Sequence, residues 1–171
     1  MGEQDTIAAL ATAPGTGGIA IVRVSGPKAE ACLHALLRPD RAFESHRLYY
    51  GRAVYQGETL DECMAVLMRA PRSYTREDVA EFHLHGGSWA AQSVLSALYA
   101  LGVRAAEPGE FTKRAFLNGR IDLSRAEAVM SLISAQGQRA ARAAVRQLSG
   151  GVSSCIQQDQ EALLKLLSGV A

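Results

Sequence analysis

The sequence predicts a mixed α/β (α+β) sheet domain followed by long α-helices, and three observations lead there. Short apolar, β-branched runs alternate with helical stretches over the first two thirds of the chain. Clusters of Gly, Pro and Ser punctuate those runs. Beyond Leu123 the apolar residues recur at steps of three and four, the period of a helix face.

Taken in order, Thr6 to Ala11 is a short apolar strand that runs into the loop Pro14-Gly15-Thr16-Gly17-Gly18. Ile19 to Val24 is a second strand, apolar enough to be buried on both faces, with Arg23 as its one costly residue. Ser25-Gly26-Pro27 stops it and opens a helix to about Leu37, with Pro27 in the first turn where its missing N–H is harmless. Arg47 to Tyr55 alternates as a half-exposed strand, Gly57-Glu58 is a turn, and Glu62 to Arg69 is a buried strand. Arg72 to Thr75 is loop, and Val79 to Leu84 is strand, halted by Gly86-Gly87. Ser88 is placed to N-cap a helix from Trp89 to Leu101, with Gly102 as its left-handed terminator. Val103 to Ala106 completes the order ββαβββαβ.

Pro108 to Glu127 joins two kinds of structure, and no simple period describes it. After it, Ser124-Arg125-Ala126-Glu127 has the form of a capping box. Leu123, Ala126, Met130, Ile133, Gly137, Ala140, Ala144 and Leu148 then mark one face of a single long helix. Gly150-Gly151 breaks it, and Val152 to Leu167 resumes. Two amphipathic helices cannot bury their stripes alone, so a truncated bundle, or one completed by another chain, is expected. The division expected is residues 1–118 for the sheet domain and 119–171 for the start of a helical domain.

A hydrophobic content of 48% and a charged content of 20% suit a packed core and exclude a disordered chain. The net charge of +1 advertises no global nucleic-acid or membrane field. Lys113, Arg114, Arg120, Arg125, Arg139, Arg142 and Arg146 outnumber Asp122 and Glu127 locally, which suits a solvated helix face or a basic RNA-binding module. Cys32, Cys63 and Cys155 are odd in number and widely spaced, which fits a reduced, cytoplasmic setting. The stretch MGEQDTIAAL has no basic region followed by an apolar run, so no secretory leader is expected, and no apolar run is long enough to suggest a membrane span.

No Gly-Lys-Ser/Thr occurs, so the glycine-rich loop is no Walker A motif, and the strand after it excludes a dinucleotide fingerprint. Glu81, His83 and His85 share one strand face. No further ligand stands at a recognised spacing, so a metal site is not expected there. Glu81 needs donors if buried, and Arg23 needs a carboxylate or phosphate. The two can pair with each other, or grip opposite ends of a charged ligand. Asp5, Glu77 and Asp78 read as ordinary loop or cap carboxylates.

Three blocks, DTIAALATAPGTGGIAIVRVSG, SYTREDVAEFHLHGG and PGEFTKRAFLNGRIDLSRAEA, together resemble the MnmE/TrmE family of tRNA-modification GTPases from Asp5 to about Leu148. The resemblance implies an N-terminal domain similar to the tetrahydrofolate-binding domain of aminomethyltransferases, homodimerisation through it, and a helical domain carrying an inserted G domain. It implies a reduced folate (5-formyl- or 5,10-methylene-tetrahydrofolate) as one-carbon carrier, with GTP, Mg and K in the G domain. It further implies that the full protein, with the FAD protein MnmG, adds an aminomethyl or carboxymethylaminomethyl group to the wobble uridine (U34) of tRNA. The family's folate contacts fall on Arg23, Glu81 and Arg120, the last commonly Lys in the family; Thr16 and Leu84 also depart from its usual residues. No catalytic residue is expected in these residues, and with no Walker A or NKxD motif they are not expected to hydrolyse GTP. The alternatives are a free-standing folate-dependent aminomethyltransferase, the basic RNA-binding module, and a pure dimerisation domain.

Overall fold

The computed structural model describes residues 5–15 and 17–149 together with Gln160 and Ser168. Thr16, Cys155, the Gly150-Gly151 break and the Val152 to Leu167 helix expected from the sequence lie outside the described residues, the lone position Gln160 apart. The chain divides into two compact units, Met1–Arg114 and Ala115–Ala171.

In chain order the strands are β1 (Ile7–Leu10), β2 (Ile19–Ser25), β3 (Leu37–Arg38), β4 (Leu48–Tyr55), β5 (Glu58–Met68), β6 (Val79–His85) and β7 (Arg104–Ala105). The helices are α1 (Ala29–Leu36), α2 (Ser88–Ala100), α3 (Glu110–Leu117), α4 (Leu123–Ile133) and α5 (Gln138–Leu148). The seven strands form one sheet in the order β3-β4-β5-β6-β2-β1-β7. Every neighbouring pair is antiparallel except β1 with β7, so the sheet is mixed.

One face of the sheet is covered. Ala20, Val22 and Val24 of β2, with Ala80, Phe82 and Leu84 of β6, join Cys32, Leu33 and Leu36 of α1 and Ala91, Val94 and Leu98 of α2 in one buried cluster. A fully buried Leu or Phe stabilises such a cluster by about 1.5–3 kcal/mol. The other face carries the alternate residues. Ile19 is 62% exposed, Leu48 52%, Tyr50 65% and Met64 43%, so β2 is not buried on both faces as its composition suggested.

Backbone approach explains two glycine-rich blocks at once. Gly86 donates its N–H to Gly18 O at 3.1 Å, and a Cβ on Gly86 would lie 1.7 Å from Gly17 O. Only glycine lets the end of β6 close on the loop before β2.

Several local expectations are corrected. Pro27 sits in the turn before α1, not in its first turn. Ser88 does not cap α2; Gly87 holds that position and no side chain caps it. Glu110–Leu117 is helical, which no periodicity announced. In the second unit, the expected single helix is two: Gly137, at φ +147, separates α4 from α5. Asp122, not Ser124, caps α4, its Oδ1 accepting from Arg125 N–H at 2.8 Å. Gln147 Nε2 donates to Ser124 O at 3.0 Å, linking the end of α5 to the start of α4 and setting the two helices antiparallel. Ala128 and Ala144 are their buried residues, whereas Leu123, Met130 and Ile133 are exposed.

Candidate functional site

The open face of the sheet carries the polar residues singled out by the sequence. Antiparallel register places Arg23 of β2 directly opposite Glu81 of β6, and Ile21 opposite His83. Cross-strand partners stand on the same face, close enough for their side chains to interact. Arg23 Nε donates to Glu81 Oε1 at 2.8 Å, with the two side chains 27% and 12% exposed. The other carboxylate oxygen, Oε2, lies 3.1 Å from His83 Nε2. Of the two alternatives left by the sequence, the described chain holds the direct Arg23–Glu81 pair. His85 is turned instead to Asp61, whose carboxylate accepts from both its backbone N–H and its ring, and so raises the ring's pKa above the ordinary value.

The geometry leaves Arg23 half used. Only its Nε meets Glu81, so the pair is side-on and not the bidentate fork that Arg and a carboxylate can form. Its guanidinium carbon lies 5.4 Å from the Tyr74 ring centroid and 5.7 Å from that of Phe111. Aromatic faces attract the cation without consuming its N–H donors. Among the described residues no hydrogen bond engages its Nη atoms, so Arg23 is held in place with those donors available to an anion. A carboxylate beside available guanidinium donors and two rings can take a flat, polar heterocycle that bears negative charge.

Arg120, the third position expected at the site, belongs to the second unit, where its backbone N–H donates to Ala115 O at 2.9 Å. Among the described residues no group of three or more His, Cys, Asp or Glu side chains could hold a metal ion.

The carboxylates expected to be ordinary form a network around Arg114. Its Nη1 donates to Asp5 O at 2.8 Å and to Glu77 Oε2 at 3.2 Å. Its Nη2 donates to Asp5 Oδ1 at 2.6 Å and to Glu110 Oε1 at 3.1 Å. Arg104 adds a second cation, 2.6 Å from both Asp5 Oδ2 and Glu110 Oε1. The Arg104 hydrogen bond, aided by Glu107 N–H and Arg114, holds the Glu110 carboxyl down to about 2. Ser25 Oγ donates to Glu77 Oε2 at 2.6 Å, attaching the network to the end of β2. Asp78 is a loop carboxylate, accepting from Ala70 N–H at 2.8 Å. Arg114 therefore leaves the solvated basic run: its side chain is 11% exposed. The only sequence hint was the Glu110/Arg114 spacing of four in an unrecognised helix; nothing local marked Tyr74.

Comparison with known proteins gives the family of the chain. Residues 6–120 match the family model described as GTP-binding protein TrmE N-terminus. The chain is 51% identical over 170 residues to a tRNA modification GTPase MnmE of Synechococcus sp. (strain RCC307), covering 96% of this chain and 38% of the relative. It is 48% identical over 171 residues to that of Listeria innocua, covering 98% and 37%. To that of Geobacter sulfurreducens it is 54% identical over 154 residues, covering 88% and 34%. The chain thus spans little more than a third of the length of these relatives.

Proposed function

We propose that this chain, which belongs to the family of the GTP-binding protein TrmE N-terminus, is the reduced-folate-binding part of a tRNA-modification GTPase. The observation that carries the reading is the Arg23–Glu81 pair, held on the open sheet face with Glu81 partly shielded and the Arg23 Nη donors unspent among the described residues. A pterin presents an adjacent N–H and amino pair that suits a carboxylate acceptor such as Glu81. The anionic tail of a folate suits a guanidinium. Glu81 orients the ring, Arg23 neutralises charge, and Arg120 is the third position the family resemblance assigns to the ligand. These residues bind; they make no bond of their own.

On this reading residues 1–118 form a domain similar to the tetrahydrofolate-binding domain of aminomethyltransferases, and 119–171 begin a helical domain. Homodimerisation through the first domain is supported by the exposed Ile19, Leu48, Tyr50 and Met64 on one sheet face. The full protein hydrolyses GTP in a separate G domain with Mg and K and modifies the wobble uridine of tRNA together with MnmG. A cytoplasmic setting is supported by the unpaired, buried thiols of Cys32 and Cys63. No helix among the described residues is long and apolar enough to cross a membrane.

Isothermal titration of 5-formyltetrahydrofolate into the chain tests the binding. Saturable binding that weakens at least about tenfold in Glu81→Ala is expected, the loss of a charge-assisted acceptor. No saturable binding, or equal affinity in the variant, would overturn it.

A further inference from the structure

Among the described residues Arg114 makes no hydrogen bond or ion pair with Arg23, Glu81 or His83, yet both rings beside Arg23 come from elements that Arg114 ties down. Tyr74 stands three residues before Glu77, in the loop between β5 and β6, and Glu77 accepts from Arg114 Nη1. Phe111 stands three residues before Arg114, one turn earlier on α3. The two elements are stitched a second time where the Tyr74 hydroxyl and Thr112 Oγ1 lie 2.9 Å apart. Glu77 is itself bonded to Ser25, two residues along β2 from Arg23. The buried fork of Arg114 thus joins the strand, the loop and the helix that together surround the Arg23 guanidinium.

We propose that Arg114 is a positioning residue for the ligand site: by holding the Tyr74 loop and the Phe111 helix together, it fixes the Arg23 guanidinium so that its Nη donors face a flat anionic heterocycle. The ligand class rests on the folate reading above, whereas the ordering of Arg23 does not. Arg is required because the contacts diverge: two Nη atoms serve three carboxylates and a main-chain oxygen at once. A lysine keeps the charge but cannot span them. Without the fork, Tyr74, Phe111 and Arg23 must be ordered at the expense of binding.

The test uses the whole chain and the variant Arg114→Lys, with Arg114→Met/Glu77→Gln as a second variant that leaves less unpaired charge. Arg69→Gln, which breaks a surface pair with Glu30 away from the site, serves as the control for general destabilisation. Nuclear magnetic resonance of the Arg23 side chain reads its position, because aromatic faces shift the protons above them upfield. In the wild type the Arg23 δ and ε protons should lie upfield; in both Arg114 variants that shift should collapse while the β2–β6 amide signals persist. Affinity for 5-formyltetrahydrofolate should fall roughly tenfold or more, the cost of ordering two or three side chains on binding, and Arg69→Gln should bind as the wild type does. Retention of the upfield shift in both Arg114 variants overturns the proposal. So does an unchanged affinity with the shift lost, or an equal weakening in Arg69→Gln. Should the wild type bind no folate, the functional reading fails by itself, and the Arg23 shift still decides whether Arg114 positions that residue.

Discussion

Replacing Glu110 by Gln keeps the shape of the side chain and removes the charge that Arg104 and Arg114 share. Glu110 is 8% exposed, and Arg104 Nη2 and Arg114 Nη2 lie 2.6 Å and 3.1 Å from its Oε1. Those contacts lower its carboxyl from an ordinary 4.5 to about 2. Each unit corresponds to about 1.4 kcal/mol, which sets a ceiling of about 3.5 kcal/mol. Water reaching Asp5 and Arg104 screens the group and lowers the expected value to about 2 kcal/mol. Because the folded-state pKa is depressed, the contribution is complete above the unfolded value of 4.5 and is lost as pH falls towards about 2. Urea unfolding of wild type and Glu110→Gln should therefore differ by about 2 kcal/mol near neutrality, with the gap closing between those two pH values. A gap that stays constant down to the lower limit, or widens there, would refute the assignment of the charge to this network.

Gly86→Ala should cost about 2–3 kcal/mol, since the new methyl must displace the backbone at Gly17; a midpoint in urea within error of wild type would contradict it. Asp122→Ala should weaken α4 by about 1 kcal/mol and Ser124→Ala by clearly less, as read by amide exchange in Leu123–Ile133, and the reverse ranking would restore Ser124 as the cap. Burial raises the Cys32 thiol to about 11 and the Cys63 thiol to about 12. In a Cys155→Ser background neither should react with an aromatic disulfide at mildly alkaline pH until urea is added; rapid labelling of the native chain would count against that burial.

The sheet was largely legible because its strands combine β-branched runs with glycine punctuation, and six of the seven were placed near their observed positions. The two-residue β3 was not, since Leu37–Arg38 carries too little sequence to signal a strand. Ile19–Val24 looked buried on both faces because its composition cannot register that α1 and α2 cover only one of them. The Arg23–Glu81 pairing was open to the sequence as one of two alternatives, and only strand register decided it. Arg114 was misread for the opposite reason. Its partners Asp5 and Glu77 lie 109 and 37 residues away, and a basic residue in a basic run looks solvated until tertiary contacts bury it. Gly137 fitted the apolar stripe in one dimension, yet its positive φ ends the helix period there.

A crystal structure of this chain with 5-formyltetrahydrofolate bound decides whether the Arg23–Glu81 pair is the ligand site. The pterin's N–H and amino group should sit on the Glu81 carboxylate, on the open face of the sheet, with the ligand's negative charge met by arginine. A folate seated on the helix-covered side, or one that leaves Arg23 and Glu81 paired and untouched, would contradict it.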